Sequence, residues 1–215
     1  MERTEVIKLN KLLLFLIIMF SVGVIGHIIP NVKPLMIFLT PFTLLLTGSV
    51  TLYFSFQKGN TKLVVWGIIV YTITFSLEVI GVKTGYIFGS YYYGDVLGLQ
   101  FFDVPLIIGF NWVVIILGAI GIASRIHKSA FQIALLTGTF AVLFDLMLEP
   151  VAIKLGYWTW DNGFIPLQNY YAWFGIAFFA SLFGSKLKLD LEDSLFIYYF
   201  LIQFTFFILL SIFMS

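Results

Sequence analysis

The sequence predicts an all-α integral membrane protein with about seven transmembrane helices, and three observations predict it. The chain is 60% hydrophobic and 11% charged, with a mean hydropathy of +1.02; soluble domains carry about 25% charged residues. Too little polar side chain remains to coat a water-soluble globule, so lipid must be the solvent. Apolar runs approaching the roughly 20 residues that cross a bilayer core recur along the whole chain. The breaks between them carry prolines, glycines and charges, which end helices.

In order, the predicted helices cover residues 12–29, 35–56, 63–82, 105–123, 130–149, 171–184 and 195–214. The first is read as a retained helix, because no small-residue cleavage site follows it. Pro30, Asn31, Val32, Lys33 and Pro34 make the first turn, Gln57 to Asn60 the second, and Lys186 to Asp193 the sixth. The fifth helix is expected to stop at Pro150. The sixth run is short and is expected to borrow residues from the loop before it. The whole of 1–215 reads as one transmembrane domain.

Lysine and arginine set the orientation. With the N-terminus cytoplasmic, Arg3, Lys8, Lys11, Lys58, Lys62, Arg125, Lys128, Lys186 and Lys188 lie inside, and only Lys33, Lys83 and Lys154 lie outside. Two aromatic loops, residues 84–104 and 150–170, then share the non-cytoplasmic side. The expected location is a bacterial inner membrane.

Composition also removes several function classes. A net charge of +1 without a basic run argues against nucleic acid. Without cysteine there is no disulfide, thiolate metal site or Cys nucleophile. His27 and His127 are too few and too far apart for a histidine metal site, so no metal is expected. A retinal protein needs a Schiff-base lysine in the last helix, and residues 195–214 contain none.

Two related stretches organise the chain. Glu78 is followed by four residues, Lys83, one residue, Gly85-Tyr86, an aromatic loop, and Val104-Pro105-Leu106. Glu149 is followed by four residues, Lys154, one residue, Gly156-Tyr157, an aromatic loop, and Ile165-Pro166-Leu167. Both enter their loops in the same direction, as a parallel repeat would.

Glu78, Asp145 and Glu149 are the acidic residues inside apolar helices, and Asp145 and Glu149 share one helix face. The bland reading of each alone is a snorkelling carboxylate or a structural hydrogen bond; three on one side of the membrane favour a shared polar pocket. Such a pocket can hold a carboxylic acid beside an ionised partner, an acid–base pair without histidine. Asp103, just before Val104-Pro105, is a further candidate, whereas Asp95 reads as a turn residue.

Phe88, Tyr91, Tyr93, Trp158, Trp160 and Trp173 are candidate substrate contacts among many loop aromatics. An interfacial Trp/Tyr belt accounts for about half of those aromatics. It does not account for the interspersed glycines, which permit irregular backbone at membrane depth over a cavity. Ring faces there could hold a greasy substrate and stabilise a carbocation. Asn169 reads either as orienting a water or carboxylate or as a helix cap. Asn111 and Gln203 are the other polar side chains expected inside.

The pattern Glu78-x-x-Gly81-x-x-x-Gly85-x-x-Phe88-Gly89-x-Tyr91-x-Tyr93-Gly94, then Val104-Pro105, resembles the CruF-type carotenoid hydratases, a group within the carotenoid biosynthesis protein family that includes bisanhydrobacterioruberin hydratases. Asp145-x-x-x-Glu149-Pro150, Gly156-Tyr157-Trp158-x-Trp160, Ile165-Pro166-Leu167-x-Asn169 and Trp173 are similar to its second block. The resemblance covers about 78–173. Glu149 stands where that block often has Asp, and Asp103 where the first block often has Gly.

The resemblance implies addition of water across the terminal C1–C2 double bond of an acyclic (ψ) carotenoid end. The residues fit this without a cofactor: a carboxylic acid among Glu78, Asp145 and Glu149 protonates the alkene, and a second carboxylate, with Asp103 or Asn169, positions the water. The expected partners are a long apolar carotenoid, water, membrane lipid and other carotenoid-pathway enzymes. An end-group cyclase would use the same protonation and stays open as an alternative. A non-enzymatic carotenoid-binding or transport protein also stays open; a transporter would place its polar groups nearer the midplane.

Overall fold

The computed structural model describes residues 3–56, 61–189 and 195–214. Seven helices form the bundle: α1 (Arg3–Ile28), α2 (Lys33–Phe56), α3 (Thr61–Thr84), α4 (Leu106–Ile126), α5 (Ala130–Lys154), α6 (Leu167–Leu187) and α7 (Leu195–Phe213). Six of them, all but α6, are long and apolar enough to cross a membrane. This is the architecture of a membrane protein. The expected turn at residues 57–60 and the second half (190–193) of that before α7 lie outside the described residues.

Helix α4 is the axis of the bundle. It is apolar on every side, and Val113 to Gly121 is buried without interruption, as a helix surrounded by other helices must be. Gly118 lets α7 come close; a Cβ there would stand 2.8 Å from the Phe196 carbonyl oxygen and 2.5 Å from Phe200 Cβ. Small residues at such crossings bring helices together where lipid supplies no hydrophobic drive. The outer faces of α1, α2 and α3 expose Leu14, Ile25, Phe38, Phe42, Leu45 and Ile68, the surface that a hydrocarbon solvent requires.

The expected end of the fifth helix at Pro150 is corrected: α5 runs through that proline to Lys154. Proline inside a membrane helix is tolerated where neighbours compensate the lost hydrogen bond, and the buried Val151 and Ala152 hold the last turn in the bundle. Asp145 is therefore nine residues from the helix end, about 14 Å along the helix at 1.5 Å per residue. The sixth helix does take residues from the preceding loop, starting at Leu167.

The internal repeat is visible as structure. Both α3 and α5 stop at a left-handed glycine, Gly85 (φ 69°) and Gly156 (φ 72°), a conformation that glycine adopts without penalty. Both following helices start from an extended proline, Pro105 and Pro166. Between stop and start each half contributes a strand, β1 (Tyr91–Tyr93) and β4 (Trp158–Trp160). These strands pair antiparallel, with Tyr91 opposite Trp160, Tyr92 opposite Thr159 and Tyr93 opposite Trp158. The register is symmetric, each half placing its first strand residue opposite the last of the other. The two aromatic loops thus form one cap at one end of the bundle. A hairpin of β2 (Gln100–Phe101) and β3 (Val104–Pro105) completes it.

Candidate active site

Alternation along the paired strands decides which aromatics face inward. Tyr91, Tyr93, Trp158 and Trp160 point down into the bundle, while Tyr92 and Thr159 are exposed, the period of two that a strand imposes. Tyr91 packs on Trp160 at 5.0 Å between ring centres, and Tyr93 meets Trp158 edge-on at 5.9 Å. Below them Trp112 of α4 stacks on Trp173 of α6 at 3.9 Å. Each of those tryptophans lies seven residues after its half's proline, Pro105 or Pro166, so the stack sits where the two halves meet.

Each strand serves the glutamate of its own half. Tyr91 Oη and Tyr93 Oη donate to Glu78 Oε2 at 2.5 and 2.8 Å, and Trp112 Nε1 donates to Glu78 Oε1 at 2.8 Å. Trp158 Nε1 and Trp160 Nε1 both donate to Glu149 Oε2 at 2.9 Å. Burial and the nearby Glu78 carboxylate push the Tyr91 and Tyr93 phenols well above their ordinary pKa, so both are protonated donors at neutral pH.

The halves then diverge. One turn before Glu149 stands Asp145, whereas one turn before Glu78 stands Thr74. Three residues after Pro166 stands Asn169, whereas Ile108 follows Pro105 at that spacing. Asn169 Nδ2 donates to Asp145 Oδ2 at 2.6 Å and lies 3.3 Å from Glu149 Oε1. Asp145 is fully buried, and its Oδ1 has no hydrogen-bond partner among the described residues. The second half carries the unbalanced polar chemistry; the first carries its well-matched echo.

Glu78, Asp145 and Glu149 line one cavity of ≈ 60 Å³ together with Phe88, Tyr91, Tyr93, Trp158, Trp160, Asn169 and Trp173. A water needs about 10–15 Å³ of such space, so this holds a few water-sized groups. The carboxylates' hydrogen-bond partners are Tyr, Trp and Asn, with no lysine or arginine among them. Among the described residues no cation neutralises them, an expensive arrangement in a membrane core and therefore a mark of function.

The structure separates one expected residue from the rest. Asp103 is exposed at the tip of the β2–β3 hairpin and is not among the residues that line the cavity, so the structure does not bring it to the three buried carboxylates. It and Phe102 both have positive φ, 65° and 52°. Two successive positive-φ residues are what a tight hairpin turn requires, and Asp is among the residues that tolerate them. Asn169 begins α6 but turns its amide into the site rather than capping the helix, whose N-cap is Pro166.

Tyr86, Phe101, Phe102, Phe164 and Tyr171 are exposed around the cap, in keeping with a belt. Trp112 is the inward aromatic that the sequence alone does not single out, although its spacing from Pro105 repeats that of Trp173 from Pro166. Asn111 and Gln203 also line the cavity, with Gln203 Nε2 donating to Asn111 Oδ1 at 3.2 Å.

Residues 38–215 match the carotenoid biosynthesis protein family. The chain belongs to that family. The match extends well beyond the 78–173 region in which the motifs lie. A bisanhydrobacterioruberin hydratase from Haloarcula japonica is 29% identical over 113 residues, covering 46% of this chain and 37% of that relative. The matched stretch is thus well under half the length of the curated relative. No solved structure matches the chain.

Proposed function

We propose that this family member is a carotenoid hydratase of the cell membrane, adding water across the terminal C1–C2 double bond of an acyclic end group, with its aromatic cap on the non-cytoplasmic side. One observation carries the reading: three buried carboxylates converge beneath inward-facing aromatics, and one of them keeps an unpaired oxygen. The similarity to a hydratase supports it.

The roles follow from the hydrogen bonds. Glu78 receives three donors, so both its oxygens are served as acceptors. Asp145 has one oxygen left over, and a protonated carboxyl needs one to carry its hydrogen. Asp145 therefore gives its proton to C2 of the alkene. The tertiary cation at C1 lies against the faces of Trp158, Trp160 and Tyr91, whose π electrons stabilise it. Water bonds to C1 and gives a proton to Glu149. Asp145 and Glu149 are one turn apart and both next to Asn169, so the proton gained by one replaces that lost by the other. No other reactant is consumed.

The polyene needs an apolar route, and one runs beside the site. A groove of ≈ 540 Å³ between α3 and α6 is lined by Thr74 and Leu77, next to Glu78, and by Ala172, next to Trp173. It continues along Gly175 and Phe179 to Phe183, and from residue 172 to 183 the rise is about 16 Å. A long conjugated chain fits such a slot, with its end group under the cap. Gly175 faces open space, with no atom of a neighbour within 4 Å of where a Cβ would stand, so Gly175→Phe fills the groove without disturbing the backbone. The expected result is conversion of carotenoid reduced roughly tenfold in a protein at least as heat-stable in detergent as the parent. Unchanged conversion would place the polyene elsewhere.

The reading is tested by pigment analysis of cells that make an acyclic carotenoid, with and without this protein, by chromatography and mass spectrometry. A more polar product heavier by one water is expected. An isomer of unchanged mass would make the protein a cyclase instead.

A further inference from the structure

A second chamber of ≈ 130 Å³ adjoins the carboxylate cavity, between α1, α2 and α7. Leu44, Tyr157, Gln203 and Phe207 line both spaces, so only side chains separate them. Most of its wall is apolar, but two polar atoms on it have no hydrogen-bond partner among the described residues: His27 Nε2 and Gln203 Oε1. His27 is 5% exposed and Gln203 fully buried, so neither atom is served by bulk water.

Their chemistry can be worked out. His27 Nδ1 lies 2.7 Å from the Gly23 carbonyl oxygen. A carbonyl only accepts, so Nδ1 carries the hydrogen and the Nε2 of the neutral ring is left as a bare acceptor. Gln203 spends an N–H on Asn111, leaving its carbonyl oxygen as the second acceptor. A buried acceptor without a donor costs about 1–3 kcal/mol. Lipid tails and polyene cannot donate, whereas water can, and the chamber has room for several waters.

We infer that this chamber holds and delivers the water that the site consumes, with His27 and Gln203 as its fixed acceptors and Gln203 at the gate between the two spaces. The inference rests on the hydration reading. The location fits, because the chamber reaches the cap: Tyr157 of the cap lines it and donates to Thr40 of α2, also on its wall, at 3.3 Å. Water reaching C1 past Gln203 arrives from the α7 side, while the polyene lies on the α3–α6 side. The step balances with water alone: its oxygen bonds to C1, one of its protons passes to a carboxylate, and the proton on C2 comes from the carboxylic acid.

The test separates protonation from water capture. Membranes carrying the full chain are incubated with carotenoid in deuterium oxide. A cation that forms but captures no water loses a proton again, leaving deuterium in the recovered alkene. In His27→Phe and Gln203→Leu the hydrated product is expected to fall roughly tenfold or more, while deuterium still enters the recovered alkene at the parent rate. His27→Gln keeps an acceptor and is expected to retain most hydration. If hydration and deuterium entry fall together, or neither falls, the chamber is not the water path. A parent protein that makes no alcohol would overturn the hydration reading itself. The chamber is then tested without turnover, by X-ray radiolysis, in which bound water generates hydroxyl radicals that label adjacent side chains. Labelling of the buried Tyr157 in the parent, lost in His27→Phe, is expected; an unlabelled Tyr157 in the parent would overturn the chamber.

Discussion

Asp145→Asn is expected to abolish the hydrated carotenoid while leaving folded protein in the membrane. The substitution keeps the side chain's shape in a fully buried position. The amide oxygen of the variant can still accept from Asn169, which now donates to Asp145 at 2.6 Å. Carboxylates buried together repel one another when ionised, so a neutral group of the same volume at one of them adds no uncompensated charge. Only the transferable proton is lost, and general acid catalysis is worth about 10²–10⁴ in rate. Asp103→Asn, at the exposed hairpin tip, is the matched control and should convert carotenoid as the parent does. Product analysis together with the amount of monodisperse protein in detergent checks both. Parent-like product from Asp145→Asn would remove Asp145 as the acid and with it the present assignment of roles.

Glu78 is a different case, though the sequence groups it with Asp145. Its oxygens accept from Tyr91, Tyr93 and Trp112, tying α3 to the cap and to α4. In Glu78→Gln the amide oxygen must face Trp112, which can only donate, leaving the amide nitrogen to the phenols, which can turn to accept. The expected outcome combines lost activity with a modest loss of stability, about 1–3 kcal/mol for a disturbed buried hydrogen-bond set. Thermal unfolding in detergent distinguishes it from Asp145→Asn, which should unfold no earlier than the parent.

The bundle was legible in the sequence because its signal is apolar length, and lipid makes that signal strong. The carboxylates were legible because a charge inside an apolar run has few bland explanations. The parallel stretches after Glu78 and Glu149 announced two loops with a common plan. What could not be read was their union. Tyr91 to Tyr93 and Trp158 to Trp160 are three-residue strands, too short to show a period, and their partners lie in different halves of the chain. Without that pairing, inward Tyr91 could not be told from outward Tyr92. An aspartate near a helix-entrance proline resembles a site residue, and nothing in the sequence shows that Asp103 stands exposed at a hairpin turn with positive φ. Pro150 misled because the rule that proline ends helices weakens inside a packed membrane bundle, where buried Val151 and Ala152 carry the helix on.

Union of the loops makes the second large prediction, for Gly94→Ala at the end of β1. The Gly94 N–H donates to the Tyr157 carbonyl oxygen at 2.9 Å. A Cβ at Gly94 would stand 2.2 Å from the Gly156 carbonyl oxygen. That atom belongs to backbone fixed at the end of α5, so no side-chain rotation relieves the contact, and the two loops must part. Overpacking of this kind costs about 1–3 kcal/mol. Its functional effect should exceed its effect on stability, because Tyr93 and Trp158 flank the contact and each donates to a different glutamate. Both carboxylates lose their alignment together, and a displacement of about 1 Å can cost 10²-fold in rate. Gly67→Ala, on α3 and away from the polyene groove, meets only Val113 Cγ1 at the ordinary distance of 3.8 Å; it should stabilise the helix slightly and leave conversion unchanged. Conversion and detergent melting measured on both variants decide the point. If Gly94→Ala matched Gly67→Ala in both, the paired strands would be a cover over the site rather than the frame that aims its hydrogen-bond donors.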